Sequence, residues 1–131
     1  MNLRQFMALG ILLLASLASA AEDRTSDTDR KLYVVSYEPG IQPVAINRMH
    51  SWVIHVATAE GNPVDNAAVT VVGGMPDHNH GLPTAPRSTQ YLDDGNYLVE
   101  GIKFHMNGRW EVTVTIDVDG VRDAVTFVLQ L

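Results

Sequence analysis

The sequence predicts an all-β protein, an antiparallel β-sandwich of about seven short strands. Three features carry that expectation. Apolar and polar residues alternate strictly late in the chain, Asp-Gly pairs stand where hairpins would turn, and helical periodicity is missing after residue 20.

Taken in order, the chain opens with one cation, Arg4, then an apolar run from Phe6 to Leu17 that exits through Ala18-Ser19-Ala20. A basic start, a short apolar core and an A-x-A exit describe a cleavable secretory signal over residues 1–20. The run is short for a membrane span, which needs roughly 20 apolar residues. With no second such run, no retained membrane segment is expected. The location implied is the periplasm of a Gram-negative cell. Residues 21–30 (AEDRTSDTDR) are polar and aperiodic, so a flexible leader is expected there. Residues 31–131 form the folded domain. There is no cysteine, so its stability must come from an ordinary core.

Leu32–Tyr37 is rich in β-branched and aromatic residues and stops at Pro39-Gly40. Ser51–Thr58 follows, closed by Glu60-Gly61-Asn62-Pro63, and then Ala67–Val72, ending at Gly73-Gly74. Asp94-Gly95 reads as a tight turn, which requires a strand before it, Ser88–Leu92, and one after it, Asn96–Glu100. In the last hairpin Trp110, Val112, Val114, Ile116 and Val118 share one face, as do Val125, Phe127, Leu129 and Leu131 after Asp119-Gly120. Seven such strands in a domain of this length indicate an immunoglobulin-like sandwich, with a small β-barrel as the competing architecture.

Charge narrows the partners. The chain carries a formal net charge of -6 and has no basic stripe, so nucleic acid is not an expected ligand.

Histidine and methionine are the informative residues. Beyond residue 20 every methionine lies close to a histidine: Met49 with His50, Met75 with His78 and His80, and Met106 with His105. The one other histidine is His55. Thioether and imidazole together form a copper ligand set, with sulfur favouring Cu(I) and imidazole also accepting Cu(II). Strand parity brings the clusters together. If consecutive strands reverse, the first, third and fifth connections share one end, and these hold Met49-His50, Met75 to His80, and His105-Met106. That placement depends on the weak strand Ser88–Leu92.

Each cluster also has a structural reading. His78 and His80 lie in a Gly- and Pro-rich loop and suit either chelation or solvation. Met75, between Gly74 and Pro76, reads as a loop ligand, with a core plug as the alternative. In extended backbone one of His105 and Met106 would face inward. Met49-His50 falls to a reserve position because the second strand can claim it. His55, Trp52 and Trp110 read as sheet-face and core residues.

The run Gly74-Met75-Pro76-Asp77-His78-Asn79-His80-Gly81, then Gly95-Asn96-Tyr97, Phe104-His105-Met106 and Gly108-Arg109-Trp110-Glu111-Val112, resembles the YtkA-like domain. That domain is similar to the extracytoplasmic part of FixH proteins. The resemblance covers about Leu32 to Leu131 and implies an immunoglobulin-like fold and a link to copper handling. Unlike FixH, this chain shows no retained membrane helix.

No nucleophile motif, H-E-x-x-H or phosphate loop is present, so the expected function is not enzymatic. The expectation is a periplasmic copper carrier or buffer, binding through Met75, His78, His80, His105 and Met106 and passing the ion to an envelope protein. A metal-free interaction module of a cell-envelope complex is the alternative.

Overall fold

The computed structural model describes residues 23–131; the signal peptide expected over residues 1–20 lies outside them. Among the described residues there is no helix, and the strands are β1 (Thr25–Asp27), β2 (Tyr33–Pro39), β3 (His50–Thr58), β4 (Ala68–Met75), β5 (His80–Gly81), β6 (Arg87–Tyr91), β7 (Asn96–Ile102), β8 (Arg109–Val118) and β9 (Val121–Gln130). All pair antiparallel. The seven expected strands are all found, β6 included.

Hydrogen bonding orders them β1-β2-β3-β7-β6 and then β4-β8-β9, with β5 beside the end of β4. Apart from β1 and β5, this is the four-plus-three arrangement of an immunoglobulin constant-type sandwich. The two sheets join along one side around the pair Thr70 and Arg87, where Val71 N donates to Pro86 O at 3.1 Å and Val69 N to Ser88 Oγ at 3.2 Å. On the other side the amide of Asp29 donates to the carbonyl of Ala124 at 2.8 Å, so the sandwich nearly closes into a barrel. The two architectures weighed from sequence therefore meet in one molecule.

The alternation sorts residues as expected. Trp110, Val112, Val114 and Ile116 are fully buried, as are Trp52, Ile54 and Val56 on β3. Asp119 and Gly120 both have positive φ, 51° and 84°, as a type I′ turn requires between two long strands. Tyr97 ties a loop to the core: its hydroxyl donates to Val64 O at 2.6 Å and accepts from the amide of Ala67 at 3.0 Å.

The polar leader expected over residues 21–30 is, from Thr25 onward, part of the sheet. Thr25–Asp27 pairs with Ser36, Val35 and Val34 although all three of its residues are exposed. A buried carboxylate, Asp123, holds the segment between β1 and β2. Its oxygens accept from Thr28 Oγ1 (2.6 Å), Arg30 N (3.0 Å), Leu32 N (3.2 Å) and Ala124 N (2.9 Å). Burial opposes ionisation of Asp123, but these four donors outweigh it and hold the carboxyl below its usual range.

Candidate metal centre

An aromatic column leads to the pole where the first, third and fifth connections meet. Tyr37 stacks on Trp52 at 4.3 Å, Trp52 lies 6.2 Å from Phe104, and Phe104 meets Trp110 edge-on at 5.2 Å. His105 follows, packed edge-on against Trp110 at 5.6 Å. The loop that carries His105 is pinned from several sides. Trp110 Nε1 donates to Met106 O at 3.0 Å, the amide of Asn47 donates to Phe104 O at 2.6 Å, and Gly108 and Leu131 exchange backbone hydrogen bonds.

From His105 the imidazoles continue outward in a row. Its ring centroid is 5.9 Å from that of His80, which is 6.3 Å from that of His78. Two imidazoles on one ion, with metal–nitrogen distances of about 2.0–2.1 Å, hold their centroids roughly 5 Å apart at a tetrahedral angle and roughly 6.4 Å apart when opposed. Both observed separations fall in that interval. His78 and His80 are exposed at the tip of the β4–β5 hairpin, whereas His105 is half-buried. Its Nδ1 is buried and has no hydrogen-bond partner among the described residues. Such an orphan nitrogen carries an uncompensated desolvation cost, which a bound ion would relieve. Among the described residues no three His, Cys, Asp or Glu side chains converge closely enough to hold an ion as they stand.

The methionines divide. Met75 was expected in a loop; it is instead the last residue of β4 and is 1 % exposed, inside the core cluster. The strand runs through it because Gly74 still pairs with Glu111 and Gly81. Its methyl lies under the fifth connection, where a Cβ on Gly108 would stand 2.7 Å from Met75 Cε. Gly108, at φ 134°, makes room for that approach. Met106 is half-buried on the same loop and packs on the core. Met75, His105 and Met106 thus gather where Gly108 leads into the start of β8, with His80 beside His105 and His78 beyond His80.

His50 is not available to a metal. Trp52 Nε1, which can only donate, points at His50 Nε2 at 3.1 Å, so that nitrogen must accept. The ring proton then sits on Nδ1, which donates to Arg48 O at 3.1 Å. Burial, as the main cause, pushes the pKa of His50 down, and the neutral ring is the form that fits. Its neighbour Met49 is 57 % exposed. His55 faces its cross-strand neighbour, with Nδ1 3.1 Å from Asn96 Oδ1.

Sequence reasoning missed the roles of Gly108 and of the Trp110 indole. The G-x-W spacing was visible, but it says nothing of a methionine methyl arriving from a strand over thirty residues away.

A family model described as YtkA-like matches residues 33–115, from the start of β2 into β8, which takes in all three loops of the pole. No curated protein and no solved structure matches the chain. The match to that family model, over most of an immunoglobulin-like domain, makes the chain a member of the YtkA-like family.

Proposed function

We propose that this domain is an exported copper-binding protein, non-catalytic, that carries or buffers the ion in the periplasm. The observation that supports the reading is the row His78–His80–His105, with spacings suited to shared ligation and an unpartnered nitrogen at its inner end. His80 bridges the row, and His78 or His105 supplies the second imidazole. Met106 at the rim and Met75 beneath offer the thioethers that favour Cu(I), while the imidazoles also accept Cu(II). An exposed hairpin tip suits capture and release by ligand exchange with a receiving envelope protein.

The absence of a closed three-residue cage among the described residues favours a second reading, a metal-free interaction module. Copper titration of the purified domain, with Cu(I) under reducing conditions and Cu(II) under oxidising ones, separates the two. Loss of an outer-shell partner alone costs a metal site about 10–100-fold in affinity, so removing two direct ligands should exceed about 100-fold. His78→Ala combined with His80→Ala is expected to have that effect, while His55→Ala leaves binding unchanged. No binding of either ion above adventitious strength by the unmodified domain would refute the copper reading.

A further inference from the structure

We propose that the outer face of the β4–β8–β9 sheet pairs with the same face of a second copy of the chain, about a twofold axis running along β8.

Register defines the face. Residues directly opposite one another in antiparallel strands point to the same side of the sheet. Gly74, Glu111 and Val128 therefore form one outward row, and Val72, Thr113 and Thr126 form the next. The β8–β9 ladder runs without a break from Arg109 to Val118, so the rows stay in line. Val72 is 69 % exposed and Val128 51 %. Apolar side chains grouped on one face within a polar rim mark a contact surface.

The polar groups of this face are already partnered. The hydroxyls of Thr113 and Thr126 lie 2.8 Å apart. Arg109 Nη1 stands 2.8 Å from Glu111 Oε1, and Arg122 Nε 2.6 Å from Asp117 Oδ2. The second oxygen of Asp117 accepts from Gly120 N at 2.8 Å. Covering these groups breaks no bond to the protein and orphans none of them. The two ion pairs also cancel, which leaves the face neutral in a chain of net charge -6. Elsewhere Glu60, Asp65, Asp93, Asp94 and Asp119 crowd the connections at the end away from the histidines. A second acidic copy is repelled there and meets no net like charge here.

Shape selects the second copy as the occupant. A recess of about 450 Å³ opens beside Val72, Gly74, Glu111 and Thr113. A Cβ on Gly74 would meet nothing closer than His80 O at 3.6 Å, an ordinary contact, and Gly74 lacks the positive φ that demands glycine. Neither packing nor backbone within one copy accounts for the missing side chain. Val128 stands in the same row, on the far side of β8. A twofold along β8 lays Gly74, Glu111 and Val128 over the same row reversed, so each Val128 enters the recess of the other copy. That is the self-complementarity an isologous interface requires. On the axis the two Arg109–Glu111 pairs meet as a ring of alternating charges. Because the axis follows the strands, the two histidine rows lie side by side at one end of the dimer. The face is roughly 14 Å wide and roughly 26 Å long from Arg109 to Asp117, at the small end of specific interfaces, so the pairing is reversible.

Sedimentation equilibrium on the metal-free domain, from micromolar to millimolar protein, tests the pairing apart from any copper binding. A monomer–dimer equilibrium is expected. Gly74→Val fills the recess and Val128→Ala removes the side chain that enters it. Each change acts twice across the axis and should raise the dissociation constant at least about tenfold, with thermal melts confirming the fold. The double variant exchanges the two features and should restore the dimer, while Leu92→Lys, exposed on the far connection, should leave it unchanged. The sequence has no cysteine, so Asn107→Cys accepts a single nitroxide label. Two such labels at one end of the dimer should lie closer than the length of a ten-residue strand, about 33 Å. A monomer at every concentration, or a dimer indifferent to both single variants, would overturn the proposal. A label separation beyond that length would overturn the shared-end arrangement.

Discussion

Replacing Asp123 by Asn tests whether one side chain fastens the N-terminal segment to the sandwich. The residue is 4 % exposed, and its two oxygens divide four donors: Arg30 N and Ala124 N on one, Thr28 Oγ1 and Leu32 N on the other. An asparagine keeps one oxygen. If that oxygen stays on Arg30 and Ala124, the new NH₂ group faces Thr28 and Leu32. Thr28 adapts, since its hydroxyl also lies 3.1 Å from Tyr33 O and can donate there while it accepts from the amide. The Leu32 N–H has no such choice. One orphaned donor costs about 1–3 kcal/mol, and each remaining bond falls to about half its charge-assisted strength. Relief of the carboxylate's desolvation offsets part of this, leaving about 2–3 kcal/mol. For a domain of this size that lowers Tm by roughly 10–15 °C. The variant should also lose part of the acid sensitivity. A carboxyl held below its unfolded value of about 3.9 stabilises the fold above that pH, and the stabilisation is lost as pH falls through the folded value. Differential scanning calorimetry at pH 7 and pH 3 reads both effects. A Tm at pH 7 within about 2 °C of the unmodified domain, or an undiminished loss at pH 3, would refute this account of the knot.

His50 should leave a separate mark at milder pH. Its folded pKa lies below the ordinary value of about 6.5, so its neutral ring stabilises the fold above that value. As pH falls below about 6.5 the unfolded chain takes up a proton that the folded one refuses, and the contribution is lost as pH passes through the folded value. His50→Gln removes the titration and still offers Trp52 an acceptor, so its urea midpoint should fall less than that of the unmodified domain between pH 7.5 and 5.5. Gly108→Ala places a methyl 2.7 Å from Met75 Cε at a φ of 134°, and should cost about 1–3 kcal/mol in thermal melts. Because it shifts the loop of His105 and Met106, it should also weaken Cu(I) binding in the titration; unchanged affinity would separate Met75 and Gly108 from the site.

The fold was legible where side chains alternate against a half-buried face, as in Trp110–Val118 and Val121–Leu131, or where a turn fixes its flanks, as Asp119-Gly120 does. β1 was not. Thr25–Asp27 has no apolar residue, and its anchor, Asp123, lies nearly a hundred residues away in sequence. The gathering of the clusters at one pole was legible because it needs only strand order, and β6 supplied the missing reversal. Burial within the pole was not legible. Gly74 and Pro76 bracket Met75 with loop chemistry, yet pairing of Gly74 to β8 and of Met75 to His80 on β5 carries the strand through it, and the Trp52 indole engages both His50 and the core. Local composition reports propensity; these outcomes were decided by partners far along the chain.

The bonds from Asp29 to Ala124 and from Arg30 Nη1 to Arg122 O have a further consequence. They occupy outward carbonyls on β9, an edge strand of ten residues that carries Val128, 51 % exposed. A bare strand of that length is a template on which a second chain adds itself as the next strand. Residues 25–32, polar and slight, thus act as a guard rail along a sticky margin. Shortening the domain to start at Tyr33 would keep nearly all of its core and open that margin to its own kind, so that copies could add to one another by edge pairing.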